Sequence, residues 1–270
     1  MNHAPSPKLR GKLWLIGGTS ESIHLVHQLR AQAETVLVTV TTAAARQRFS
    51  AYPTLGVESI CFESDHQLQE WIGRHQILGI LDASHPFAVE ISTRAMRVAE
   101  QLNLPYLRFE RSPVSTPASD WVQEVALGDE ILPLQDLAGH RILLTLGSRS
   151  LSQFSSWHQH CELFARILPT ETAVRLALKA GFPRAHLIAM QPPLSLALEC
   201  ALWKHWRISR VITKASGEAG GEDIKRQAAA QLHIPLIILQ RPEVSYRWKT
   251  ASLSTALRFS QQVTRPLPQD

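Results

Sequence analysis

The chain has 270 residues, 44% of them hydrophobic, and a net charge of +5. That is enough apolar content for two ordinary cores and excludes a disordered protein. The longest purely apolar stretches, such as Ile234 to Leu239, fall far short of the roughly 18 residues a membrane helix needs. Basic residues are dispersed and form no nucleic-acid motif, so a diffuse positive field for small anionic ligands is the better reading. Cys61, Cys161 and Cys200 are far apart and make no Cys-x-x-Cys pair, which speaks for a reducing cytoplasm and against a metal site. Met1 to Lys8 has no apolar signal core, so no export is expected.

In chain order, a strand is expected near Leu13 to Gly17, a helix from Ser20 to about Gln32 and a strand from Thr35 to Val40. A short helix follows, then a strand around Val57 to Phe62, a helix from Asp65 to Arg74 and a strand from Gly79 to Asp82. A longer helix runs from Pro86 to about Asn103, with a strand from Tyr106 to Phe109 behind it. Strands without clean alternation, separated by amphipathic helices, indicate parallel sheets covered on both faces. Ser112 to Asp120 is rich in turn formers and reads as the linker. The second half restarts with a strand from Arg141 to Thr145. It continues to about Leu239, then to a further strand over Ser245 to Lys249 and a closing helix from Leu253 to about Gln262. The expected division is 1–111, a linker region 112–138, and 139–270, with a frayed Pro/Gln-rich end.

The two halves repeat. Leu13-Trp14-Leu15-Ile16-Gly17-Gly18 matches Ile142-Leu143-Leu144-Thr145-Leu146-Gly147, and Ile80 to Ser84 matches Val211 to Ser216. Leu102 to Leu107 matches Leu232 to Ile237, and an arginine follows each copy, Arg111 and Arg241. All three matches share an offset of about 130 residues, too long for a solenoid unit. Two similar α/β domains are therefore expected, with a ligand crevice between them lined by the loops after the strands.

Gly17-Gly18-Thr19-Ser20-Glu21 lies at a strand-to-helix turn, where glycine admits a phosphate and the helix end offers free N–H groups. It is not a full Gly-x-Gly-x-x-Gly fingerprint, and a plain capped turn is the alternative. The loop after the second strand holds Thr41, Thr42, Arg46 and Arg48 and no carboxylate. If a dinucleotide binds, that composition favours NADPH over NADH; arginines on a solvated helix are the alternative. Asp82-Ala83-Ser84-His85-Pro86-Phe87-Ala88 stands at the end of the fourth strand. Ser84 or His85 is expected to cap a helix opening at Pro86, and His85 could donate a hydrogen bond or a proton. A structural strand–helix corner is the competing reading. Arg108 and Arg111 suit carboxylate recognition, or a salt-bridged surface.

These motifs, with Pro105 to Arg111, Thr145 to Arg149 and Thr213 to Gly217, resemble the precorrin-6A reductase family of cobalamin biosynthesis. The resemblance spans nearly the whole chain. It implies two Rossmann-like domains, with NADPH and a corrin-type tetrapyrrole in the cleft between them. It also implies a hydride delivered to the macrocycle, metal-free or carrying cobalt, to give the 6B form. Cofactor contacts are then expected from Gly17, Gly18, Thr19, Ser20, Glu21, Thr41, Thr42, Arg46, Ser84, His85, Pro86 and Phe87. Substrate contacts are expected from Arg108, Arg111, Gly147, Arg149, Lys214, Ser216 and Gly217. His85 is the candidate proton donor or orienting group, and no metal is expected. Some family elements are altered here: Thr42-Ala43-Ala44-Ala45-Arg46, Leu146-Gly147-Ser148-Arg149 and Lys214-Ala215-Ser216-Gly217-Glu218 depart from the usual patterns.

A short-chain dehydrogenase needs Tyr-x-x-x-Lys, but Tyr52, Tyr106 and Tyr246 are followed four residues on by Gly56, Glu110 and Thr250. A two-domain nucleotide or small-ligand sensor without catalysis is the other alternative. A monomer or weak homo-oligomer is expected.

Overall fold

The computed structural model describes residues 11–29, 31, 35–112, 119–126 and 131–264. Its first stretch alternates strongly: β1 (Lys12–Ile16), α1 (Ser20–Leu29), β2 (Val36–Val40), α2 (Ala43–Gln47), β3 (Gly56–Ser59), α3 (Asp65–His75), β4 (Ile77–Asp82), α4 (Val89–Gln101) and β5 (Tyr106–Phe109). Next come β6 (Val122–Val125), β7 (Arg141–Thr145), β8 (Glu162–Ile167), α5 (Glu171–Lys179), β9 (Leu187–Ala189), α6 (Leu196–His205), β10 (Arg210–Lys214), α7 (Glu222–Leu232) and β11 (Leu236–Leu239). The chain closes with β12 (Lys249–Thr250) and α8 (Leu253–Thr264).

Among the described residues two sheets result, each of six strands and parallel throughout. Their orders are β3-β2-β1-β4-β5-β12 and β9-β8-β7-β10-β11-β6, the same doubly wound arrangement twice. Successive strand residues serve opposite faces, as the pleat requires. Leu13 and Leu15 join one core layer of the first sheet, and Trp14 and Ile16 join the other. In the second sheet Ile142 and Leu144 lie on one face and Leu143 on the other. With both faces covered, β2 is buried at every position, which explains its lack of polar alternation.

The chain divides into Met1–Ser112 with Glu243–Asp270, and Pro113–Pro242. This corrects the expected boundaries in two ways. Val122–Val125, expected to be linker, is the edge strand β6 hydrogen-bonded to β11. Residues 243–264, expected to close the second domain, return to the first, where β12 pairs with β5 and α8 lies on β1, β4 and β5. Much of the Ser112-to-Asp120 linker, the end of the first expected helix and both chain ends lie outside the described residues. The sixth strand of each sheet thus comes from the segment that follows the other unit's fifth strand.

Two further elements depart from expectation. The helix after β4 starts at Val89 rather than Pro86, because Pro86 and Phe87 form a turn first. The segment after β7 is a 3₁₀ run, Ser148–Gln159, where the first unit has the α-helix α1. No helix among the described residues is long and apolar enough to cross a membrane.

The seat of α8 is testable. Ala256 and Ser260 are fully buried, which lets the helix approach the sheet closely. A Cβ added at Gly79 on β4 would lie 2.9 Å from the Val263 side chain. Gly79→Ala is expected to lower stability by about 1–3 kcal/mol through overpacking, and Val263→Ala in the same chain to restore part of it, since Pro105 Cγ, 3.0 Å from the same Cβ, stays in place. Urea unfolding followed by circular dichroism reads this; no recovery in the double variant would remove α8 from β4.

Candidate functional site

In each sheet the strand order reverses beside the first strand of its unit, between β1 and β4 and between β7 and β10. Loops leaving the carboxyl ends of such neighbouring strands form the usual ligand crevice of an α/β sheet.

In the first unit, the two loops at this point are tied together. The Thr19 hydroxyl donates to the Ala83 carbonyl at 2.8 Å, joining the glycine turn to the end of β4. Ser22, fully buried, holds the turn from inside, its Oγ accepting from the amides of Gly18 and Thr19, each at 3.1 Å. Gly18 has φ of 111°, a backbone conformation that favours glycine, and its missing side chain would point into open space. Among the described residues the amides of Ser20 and Glu21 make no hydrogen bond, so the N-terminus of α1 keeps donors and the positive end of its dipole. The Arg48 guanidinium donates to the Gly18 carbonyl at 3.3 Å, and Arg111 lies 3.6 Å from the Glu21 carboxylate.

The loop after β2 is open. Thr41, Thr42 and Arg46 are exposed, and the Thr42 hydroxyl caps α2 by accepting from the Ala45 amide at 3.1 Å. Arg48, two residues past Arg46, is the one whose guanidinium the structure brings to the glycine turn.

Beyond β4, Ser84 turns inward and His85 outward. His85 Nδ1 accepts from the Phe87 amide at 3.2 Å, which places the proton of a neutral ring at Nε2. Neither Ser84 nor His85 caps α4; Ala88 precedes it without a side-chain bond.

Ser84 faces a buried polar network instead. Asp82 Oδ1 accepts from the Ser84 amide (2.9 Å) and Arg108 Nη1 (2.8 Å), and Oδ2 from Ser92 Oγ (2.6 Å) and the Tyr106 hydroxyl (2.5 Å). Arg108 also donates to Ser84 Oγ at 2.9 Å, and to Glu110 Oε2 through Nε and Nη2. Arg108 is 0% exposed, and this corrects its expected role as a fork for a substrate carboxylate. Its carboxylates are Asp82 and Glu110. Burial and the neighbouring Asp82 hold the Tyr106 phenol protonated far above its ordinary range. Burial pushes the Glu110 carboxyl up, but Arg108 and then Lys249 more than offset this and hold it below its ordinary value. Sequence reading missed Ser22, Ser92 and this network. The available signal was register, since Asp82 and Arg108 sit opposite one another on adjacent strands.

The second unit presents different chemistry. Gly147 has φ of 79° and open space beyond its α-carbon, and Arg149 is exposed. Lys214, at the end of β10, donates to Ser150 Oγ at 2.9 Å, and burial lowers its pKa. Ser216, two residues further on, is half-buried. The Gly217 amide is taken by Glu222 Oε2 at 2.8 Å, so it is not presented to a ligand. Arg241 reaches the same loop, its Nε donating to the Ala215 carbonyl at 3.0 Å. Buried Lys225 donates to the carbonyls of Gly220 and Gly221, and burial lowers its pKa to about 8.

The structure thus gathers Gly17 to Glu21, Ser84, His85, Arg48 and Arg111 at one sheet edge, and Gly147, Lys214, Ser216 and Arg241 at the corresponding edge of the other sheet. Among the described residues no three His, Cys, Asp or Glu side chains group as metal ligands.

Residues 12–261 match the family model described as precorrin-6x reductase CbiJ/CobK. A cobalt-precorrin-6A reductase of Synechocystis sp. is 38% identical over 262 residues, covering 93% of this chain and 96% of the relative. A precorrin-6A reductase of Rhodococcus erythropolis is 31% identical, covering 86% and 89%. The solved structure of a CobK precorrin-6A reductase superposes with a TM-score of 0.74 at 26% identity, over 94% of this chain and 97% of that one.

Two outcomes are expected from the network. Asp82→Asn strips one carboxylate from a buried guanidinium and should cost about 3–5 kcal/mol in urea unfolding; a change under about 1 kcal/mol would mean the pair is not buried as described. Because the Glu110 carboxyl is held below 4.5, its stabilisation is complete above that pH and is lost as pH falls through the lower folded value. Glu110→Gln should therefore be less stable than wild type at pH 7 and lose less on acidification. Parallel stability–pH curves for the two proteins would contradict this.

Proposed function

The chain belongs to the precorrin-6x reductase family, and we propose that it reduces precorrin-6A, metal-free or carrying cobalt, with NADPH as the hydride donor, in cobalamin biosynthesis. The observation that carries this reading is that, among the described residues, the Ser20 and Glu21 amides make no hydrogen bond and no atom lies within 4 Å of where a Gly18 side chain would begin. Such a helix end fits a pyrophosphate. The loop after β2 fits the rest of an NADP-type nucleotide, because it offers Thr41, Thr42, Arg46 and Arg48 and no acidic residue to grip a free ribose diol.

When bound, NADPH supplies a hydride to a double bond of a macrocycle whose conjugation already makes it an electron acceptor. The protein's own task is to bind and orient. In this reading Ser20 and Glu21 receive the pyrophosphate, Thr19 and Ser22 keep the turn in shape for it, and Arg46 and Arg48 serve the 2′-phosphate. The turn from Ser84 to Phe87 borders the same nucleotide, since Thr19 ties it to the glycine turn. His85, an exposed residue whose neutral ring keeps its proton at Nε2, can hold or deliver it. Arg149, Lys214 and Arg241, with Ser216, answer the carboxylates of the macrocycle; Arg111, paired with Glu21, belongs with the nucleotide side.

NADPH should bind at least about tenfold tighter than NADH, a difference of about 1.4 kcal/mol, and Arg46→Ala with Arg48→Ala should bring the ratio toward one. Nucleotide fluorescence titration measures both; equal affinities in the wild type would remove the 2′-phosphate pocket. The activity itself is read by mixing protein, NADPH and the metal-free or cobalt macrocycle and following absorbance. Absence of turnover with both macrocycles would leave a non-catalytic ligand binder.

A further inference from the structure

We propose that the returning C-terminal segment, through Lys249 and Tyr246, positions the turn from Ser84 to Phe87. The inference rests on the proposed function for what the turn touches, and on geometry alone for what holds it. Lys249, next to β5 in the sheet, donates to Glu110 Oε1 at 3.1 Å. Glu110 Oε2 accepts from Arg108 Nη2 at 2.9 Å, and Arg108 Nη1 donates to Ser84 Oγ at 2.9 Å and Asp82 Oδ1 at 2.8 Å. Asp82 Oδ1 in turn accepts from the Ser84 amide at 2.9 Å, where the chain leaves β4 for His85. The relay thus runs from residue 249 to residue 84 in charged or charge-assisted bonds, the strongest kind.

Tyr246 closes the network from the side. Its ring centroid lies 5.3 Å from the Arg108 guanidinium and 5.6 Å from Lys249 Nζ. The backbone adds register, since the amides of Arg108 and Glu110 donate to the carbonyls of Trp248 and Thr250. Within the network two carboxylates, Asp82 and Glu110, balance two cations, Arg108 and Lys249. Without Lys249 the Glu110 carboxylate loses one of its cations and draws more strongly on Arg108, pulling the guanidinium from Ser84 and Asp82. Lys249 is half exposed, with side-chain exposure of 47%, so its loss need not unfold the unit. It is a positioning residue, acting on the turn through Arg108.

The test is hydrogen exchange by mass spectrometry on full-length wild type, Lys249→Met and Lys249→Arg, paired with NADPH titration of each. The amides of Ser84, Phe87 and Ala88 are hydrogen-bonded in the turn and report its order. Lys249→Met should exchange about fivefold faster over residues 83–88 with the rest of the unit unchanged, and should bind NADPH several-fold more weakly. Lys249→Arg, which keeps the charge, should restore both. Unchanged exchange over 83–88, an increase spread evenly through the unit, or failure of Lys249→Arg to restore order would overturn the proposal. A local loosening in a protein whose wild type binds no NADPH would sustain it and remove the nucleotide reading instead.

Discussion

Burial of the Arg108 guanidinium at the end of β5 sets the terms for the whole adjoining sheet edge. A charge removed from water costs several kcal/mol unless every donor finds an acceptor. The first sheet answers with Asp82, opposite in register on β4, and with Glu110, two residues further along the same chain. Each carboxylate then needs donors of its own, which draws in Ser84, Ser92, Tyr106 and Lys249. Ser84 faces inward because it belongs to this set, and His85, the next residue, is turned outward. The exposure of His85 is thus a consequence of satisfying a buried cation.

Duplication explains the frame but not this network. At the matching register of the second sheet, Thr213 lies opposite Ile238 where the first has Asp82 opposite Arg108. The sixth strands also break simple repetition. A tandem pair of independent units would let the segment after β5 pair with β5; here that segment gives β6 to the second sheet, and the first waits for β12. The first unit is consequently not complete until the chain has built the second. This ties Lys249 to a site otherwise made within the first 112 residues.

Periodicity and turn chemistry made most of the fold legible. β5 and β7 fall where apolar runs between turn formers place them, and the equal strand orders bear out two similar units. What stayed hidden was non-local. A two-residue edge strand such as β12 has too little pattern to assign, and nothing in residues 243–264 says which sheet they join. Pro86 signalled a helix start but cannot show that a tight turn intervenes. Arg108 looked like a ligand fork because an arginine at a strand end is polar whether it meets solvent or a buried Asp82. Ser22 falls inside the expected first helix, where nothing local marks a hydroxyl that fixes the glycine turn. The sequence motifs marked the correct loops, while the division of labour inside them required coordinates.

That division also separates the two glycine turns. The first opens an α-helix of ten residues, whose aligned peptides concentrate positive potential on amides that a pyrophosphate can approach closely. The second opens a 3₁₀ run, and the Gly217 amide nearby is already taken by Glu222. Its positive charge comes from side chains, Arg149, Lys214 and Arg241. Backbone amides recognise one compact anion in one place, whereas side-chain cations can meet carboxylates scattered around a large ring. Under the proposed function the same fold, used twice, therefore binds two different anions because its loops present charge in two different ways.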